Sequence, residues 1–193
     1  MDMFSFLAEN FDLPILEWIA AYLWCPFLDA VMPVITLLGD AGIFWIAIAV
    51  VLLFFPKTRK IGLGMGAALI MGLLLCNLTL KPLIARIRPY DYQLQYFGTN
   101  IKLLIEAQHD FSFPSGHTIA SFEAATVIML NHKKAGIAAL ILASLIAFSR
   151  LYLYVHYPSD VAFSMVLGTL FALFGYWLAG KIVKPPKKGK YEA

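Results

Sequence analysis

The segment Phe113-Pro114-Ser115-Gly116-His117-Thr118 is short and polar and opens directly into an apolar run. Pro114 restricts the chain's approach, Ser115 is a good helix N-cap, and Gly116 lets the backbone come close to a ligand. His117 then falls in a first helical turn, where unpaired N–H groups and a partial positive charge suit an anion such as phosphate. Taken alone, the segment is equally well a helix cap carrying an exposed histidine. Two further segments share its polar character. Upstream, Lys81 is followed after six residues by Arg88-Pro89; downstream, Ser149-Arg150 is followed after five residues by His156, and after three more by Asp160.

These residue types suit phosphate-ester cleavage, which needs cations on the phosphoryl oxygens, an in-line nucleophile and an acid for the leaving group. Lys81 and Arg88 lie seven apart, two helical turns, so one helix end would present both on one face. Arg150 and Arg88 each offer a planar fork suited to phosphate. Ser115, with the amides of Gly116 and His117, would complete an oxyanion cradle. His156 and Asp160, four apart, would let the carboxylate take a hydrogen bond from one imidazole nitrogen and leave the other free to attack phosphorus.

Each residue also has a duller reading. Arg150 would snorkel, His156 would be an interfacial histidine, and Asp160 an acid at a helix N-terminus. Lys81, Arg86 and Arg88 would anchor a helix end among lipid head groups, and for Arg86, which holds no motif position, that is the expectation. His109 reads as a loop residue, and His132 falls on the opposite face. No two histidines have a ligand spacing such as HxxxH, so neither a metal nor another cofactor is expected.

The three segments, in this order and at these spacings, resemble the signature of the type 2 phosphatidic acid phosphatase (PAP2) family, which shares its phosphate site with vanadium haloperoxidases and glucose-6-phosphatase. The resemblance covers roughly residues 40–183. It implies an all-α membrane core in which His156 is transiently phosphorylated, Asp160 orients it and His117 is the general acid. Lys81, Arg88, Ser115, Gly116 and Arg150 then bind the phosphate. It also implies a lipid phosphate or diphosphate substrate; in small bacterial members undecaprenyl diphosphate and phosphatidylglycerol phosphate are both familiar, and phosphatidic acid is a further alternative. A phosphotransferase would use the same site, and a lipid-phosphate binder or carrier is the non-enzyme rival.

The elements that must position these residues are legible in the hydropathy. Of 193 residues, 61% are hydrophobic and 14% charged, with mean hydropathy +0.76, which points to an integral membrane helical bundle rather than a soluble domain. A net charge of +3 without a basic cluster gives no support to nucleic-acid binding. Cys25 and Cys76 sit in apolar context without CxxC spacing and read as inert. Uncharged or nearly uncharged runs at 41–56, 61–80, 118–131, 135–154 and 161–180 predict five spans, or six if residues 1–40 also cross. The run 118–131 carries Glu123, which must face the bundle interior or a wet cleft. Gly62, Gly64, Gly66 and Gly72 fall inside the second span and predict close helix packing.

Residues 1–40 hold six acids and no Lys or Arg, unlike a secretory signal peptide. They predict two short interfacial or re-entrant helices carrying Trp18, Tyr22 and Trp24; the alternative is one kinked span from Leu13 to Leu38. Residues 41–183 form the phosphatase-like domain and 184–193 a basic disordered tail. Ten of fifteen Lys and Arg fall in 57–60, 132–134 and the segment from Lys181, all on one side when five spans alternate. The positive-inside rule makes that side cytoplasmic, and places the three motif segments on the extracytoplasmic face of the cell membrane.

Overall fold

The computed structural model describes residues 3–183, and among these all regular structure is helical. The expected basic tail at 184–193 lies outside the described residues. Helix α1 (Met3–Leu7) passes through a π-helical turn, Ala8–Asp12, into α2 (Leu13–Leu23). The backbone is extended at Trp24 and Cys25 before Pro26 starts α3 (Pro26–Leu37). The first forty residues thus hold two helices with a break between them, not one kinked rod.

A reversal at Gly39–Gly42 leads into α4 (Ile43–Phe54). Then α5 (Arg59–Met71) continues through a π-helical segment, Gly72–Leu80, into the short α6 (Lys81–Ile84). It stops because Ala85 turns left-handed, at φ 51°. Pro89 starts α7 (Pro89–Phe97) with its ring at the first helical position, where no N–H is needed, and Gly98 closes it at φ 67°. After an irregular stretch come α8 (Gly116–Met129), α9 (Lys133–Tyr152) and α10 (Pro158–Ile182).

Four stretches are long and apolar enough to cross a membrane: Pro26–Phe54, which bends at the Gly39–Gly42 reversal, Arg59–Phe97, Lys133–Tyr152 and Pro158–Ile182. The fifth expected span is α8, whose 14 residues rise about 21 Å. It packs against α9, α10 and α5 at the centre of the bundle. Eight of its residues are buried, Glu123 among them. The outer faces carry exposed apolar side chains such as Ile43, Val51, Leu74, Leu145, Leu170 and Trp177, as a bilayer requires.

Small residues let these helices approach. A Cβ on Gly175 of α10 would lie 2.7 Å from the Gly64 carbonyl of α5, and one on Gly62 would lie 2.6 Å from the Ala49 carbonyl of α4. Three of the four glycines singled out in the second span make such contacts; around Gly66 there is open space. The bundle has two distinct ends. At one, Lys60 lies over the Tyr176 ring, Tyr176 bonds Asn131, and Gly180 approaches Lys60. At the other, α6, the start of α8, the end of α9 and the start of α10 converge on a cavity.

Candidate active site

That cavity, about 460 Å³, is lined by Lys81, Arg88, Gly116, His117, Arg150 and His156. Six of the eight residues singled out from the sequence therefore share one wall. Ser115 and Asp160 are fully buried just behind it. The cavity continues between α4 and α5 past Ile46, Val50, Leu53, Leu69, Ile70 and Leu73.

Each cation is held differently. Lys81 and Arg88 do not share one helix face as their spacing suggests, because α6 ends at Ile84 and Arg88 is extended. They are gathered instead by Asp110, whose two carboxylate oxygens accept Lys81 Nζ and Arg88 Nη2. Arg88 Nε also donates to the Asp110 carbonyl at 2.8 Å, and Nη1 to the Val155 carbonyl. Burial raises the Asp110 pKa, but the hydrogen bonds and charges of Lys81 and Arg88 outweigh it and hold the carboxyl below the usual range. Arg150, 1% exposed at the end of α9, donates from Nη1 to Thr36 Oγ1 at 2.6 Å.

Of the anion cradle, the α8 terminus contributes Gly116 and His117, both of which line the cavity. Ser115 contributes less directly. Its N–H donates to Ser164 Oγ at 2.9 Å and its hydroxyl accepts from Thr118 at 3.0 Å, so it shapes the turn from within.

His156 presents Nε2 to Arg88 Nη1 at 3.4 Å. Its Nδ1 lies 3.6 Å from Asp160 Oδ2, so the hydrogen bond expected from the four-residue spacing is not made, and Nδ1 is buried without a hydrogen-bond partner among the described residues. The Asp160 oxygens take Arg86 Nη1, the Ser112 hydroxyl and, at 3.1 Å, the Tyr157 N–H. Burial, then the charges of Arg88 and Arg150, push the His156 pKa well below that of a free imidazole, so the ring is neutral and its lone pair available. The other imidazole, His117, has Nε2 at 2.6 Å from Asp40 Oδ1 and 3.3 Å from Arg150 Nη1.

Arg86 corrects the expectation of a head-group anchor. It is 6% exposed, ion-paired with Asp160 and, at 2.7 Å, with Asp12, and its guanidinium stacks 3.8 Å over the Tyr157 ring. Two buried carboxylates need a fixed cation, and α6 ends so that Arg86 turns inward. Asp12, Thr36, Asp40, Asp110 and Ser112 also went unnoticed in the sequence. For Asp110 there was a signal: two clustered cations in an apolar protein require an acid, and the polar segment 81–113 holds only Asp91, Glu106 and Asp110. Nothing local marks Asp12 or Thr36, which arrive from helices far away in the chain.

The PAP2 superfamily model matches residues 61–184. The chain belongs to the PAP2 superfamily. Among curated PAP2-like relatives, it is 36% identical to the bacitracin transport permease protein BcrC of Bacillus licheniformis over 78% of this chain and 72% of that one. It is 34% identical to an undecaprenyl-diphosphatase of Sulfolobus acidocaldarius over 65% of this chain and 58% of the relative. A solved PAP2-type phosphatidylglycerolphosphate phosphatase from Bacillus subtilis superposes with a TM-score of 0.68 at 26% identity, covering 92% of this chain and 86% of that one. Asp12, Thr36 and Asp40 precede the matched PAP2 residues, so the site draws on more of the chain than the PAP2 match covers.

Proposed function

We propose that this membrane protein is a lipid phosphate phosphatase that works through a phosphohistidine at His156. The observation that carries the reading is the cavity itself. It joins two imidazoles and three cationic side chains at one end to an apolar cleft between α4 and α5 at the other, as a phosphate head with a hydrocarbon tail requires.

In the first step Nε2 of His156 attacks phosphorus. The bond from phosphorus to the leaving oxygen breaks, its electron pair stays on that oxygen, and His117 supplies a proton. Lys81, Arg88, Arg150 and the α8 terminus meet the charge on the equatorial oxygens, which is the work a metal would otherwise do. In the second step water attacks the phosphohistidine, His117 takes a water proton, and phosphate leaves with His156 neutral again.

The lipid is best read as undecaprenyl diphosphate, since the Sulfolobus relative is an undecaprenyl-diphosphatase. The runner-up, phosphatidylglycerol phosphate, has the Bacillus subtilis structure in its favour. The carrier reading has the permease name of one relative behind it. Binding alone, however, does not call for a buried imidazole among three cations and a second imidazole across the cavity.

The basic end of the bundle, with Lys57, Arg59, Lys60, Lys133 and Lys134, sits on the cytoplasmic side of the cell membrane, which gives the site an extracytoplasmic face. Helices α2 and α3 lie at that interface, with Trp18, Tyr22 and Phe27 exposed toward head groups. Phosphate release from undecaprenyl diphosphate, phosphatidylglycerol phosphate and phosphatidic acid, with and without chelator, tests the reading on purified protein. One of these is hydrolysed, chelation leaves the rate intact, and His156→Ala abolishes it. Release that survives in His156→Ala removes the mechanism, and loss on chelation removes its metal independence.

A further inference from the structure

We propose that Asp40 is the positioning residue that keeps the proton on Nε2 of His117, so that the α3–α4 reversal completes the general acid. The inference rests on the phosphatase reading above and adds to it a residue outside the matched region 61–184.

Two neighbours of Nε2 demand opposite things of it. The Arg150 guanidinium at 3.3 Å can only donate, so a hydrogen bond from it requires an unprotonated nitrogen. The Asp40 carboxylate at 2.6 Å can only accept, so it requires an N–H. The shorter contact has the length of a charge-assisted hydrogen bond and identifies the N–H. Arg150 then lies beside the ring as a bare like charge, its Nη1 satisfied by Thr36.

The reversal is shaped for this contact. Gly39 presses on the ring so closely that a Cβ there would meet His117 Cδ2 at 2.7 Å and Ile146 Cγ2 at 2.8 Å. Ala41 and Gly42, both left-handed at φ 50° and 67°, turn the chain back so that Asp40 faces the imidazole. Ala41 is not a residue type that adopts this conformation freely, and the strain sits beside the site.

The acid needs such a partner because its other surroundings oppose protonation. Arg150 from α9 lies 3.3 Å from Nε2, and His156 from the α9–α10 connection, Lys81 from α6 and Arg88 ahead of α7 line the same cavity. Asp110, the other nearby carboxylate, is engaged by Lys81 and Arg88. Asp40 remains the carboxylate in contact with the ring, its side chain 50% exposed. With the phosphorylated substrate bound the ring carries both protons; as the bond from phosphorus to the leaving oxygen breaks, that oxygen keeps the electron pair, replaces Asp40 at Nε2 and takes its proton. His117 becomes neutral, Asp40 stays a carboxylate throughout, and the proton regained from water in the second step returns to the same nitrogen.

The test compares wild type, Asp40→Asn and Asp40→Glu in detergent, with undecaprenyl diphosphate and phosphatidylglycerol phosphate as probes. The readouts are kcat and KM against pH, with melting temperature alongside. Asp40→Asn should lower kcat at pH 8 by at least about tenfold with KM little changed, because acid catalysis is worth about a hundredfold or more. It should also move the basic limb of the kcat profile to lower pH, and Asp40→Glu should restore both. An Asn variant with the wild-type basic limb overturns the inference, as does a uniform loss at every pH that tracks melting temperature and is not rescued by Glu. A wild type inactive on these two lipids and on phosphatidic acid overturns the phosphatase reading and this inference with it; an active wild type with an unaltered Asn variant overturns this inference alone.

Discussion

Arg86 shows how much of this site is decided by buried charge. It neutralises Asp160 and Asp12 at once, and both carboxylates are fully buried. Replacing it with Leu strands two buried anions, a change of the kind that costs about 3–5 kcal/mol. We therefore expect Arg86→Leu to unfold at markedly lower temperature and to lose activity, with Arg86→Lys intermediate because an ammonium lacks the fork that reaches both acids. Thermal unfolding in detergent beside phosphate release checks this; a wild-type melting temperature in the Leu variant would refute it. His156 supplies a pH prediction with a definite sign. Its folded pKa lies below the unfolded value of about 6.5, so protonation favours the unfolded chain and stability falls as pH drops through that range. Activity should persist at pH values where a free imidazole is already half protonated, and an acidic limb at about 6.5 would contradict it. The motif residues were legible in the sequence because their types and spacing already suit phosphate chemistry. Asp12 and Asp40 were not, because an acid acquires its role only from what folding places beside it.

At the level of elements, close helix contact rather than hydrophobic burial sets the geometry, since lipid is as apolar as the side chains it meets. Gly175→Ala puts a methyl 2.7 Å from the Gly64 carbonyl and 2.9 Å from the Ala68 nitrogen, and neither backbone atom can rotate aside. Moving α5 and α10 apart should cost about 1–3 kcal/mol. Gly66→Ala meets nothing within 4 Å and should be neutral or stabilising by up to about 1 kcal/mol through helix propensity. Equal melting temperatures for the two variants would show that this packing is slack. The spans could be read from charge-free runs, and Pro89 and Pro158 marked two helix starts. The stop at Ala85 could not, because no glycine or proline marks it and only the pull of Arg86 and Arg88 on opposite partners explains it.

At the scale of the molecule, a bundle with one basic end and one catalytic end follows from the hydropathy and charge pattern, while the convergence of α3, α6, α8 and α9 on a single cavity does not. The extracytoplasmic face proposed for that cavity rests on the positive charge at the opposite end and is directly testable. With Cys25 and Cys76 replaced, a cysteine at the exposed Thr99 should react with an impermeant reagent added to intact cells; reaction only after permeabilisation would invert the topology. The central claim is that His156 carries the phosphoryl group. Rapid quenching of wild-type enzyme with a lipid phosphate labelled in its terminal phosphate, followed by peptide mapping, measures this directly. Label on His156, appearing and decaying fast enough to account for turnover, is the expected result. Turnover without labelled His156, together with phosphate release by His156→Ala, would contradict the account.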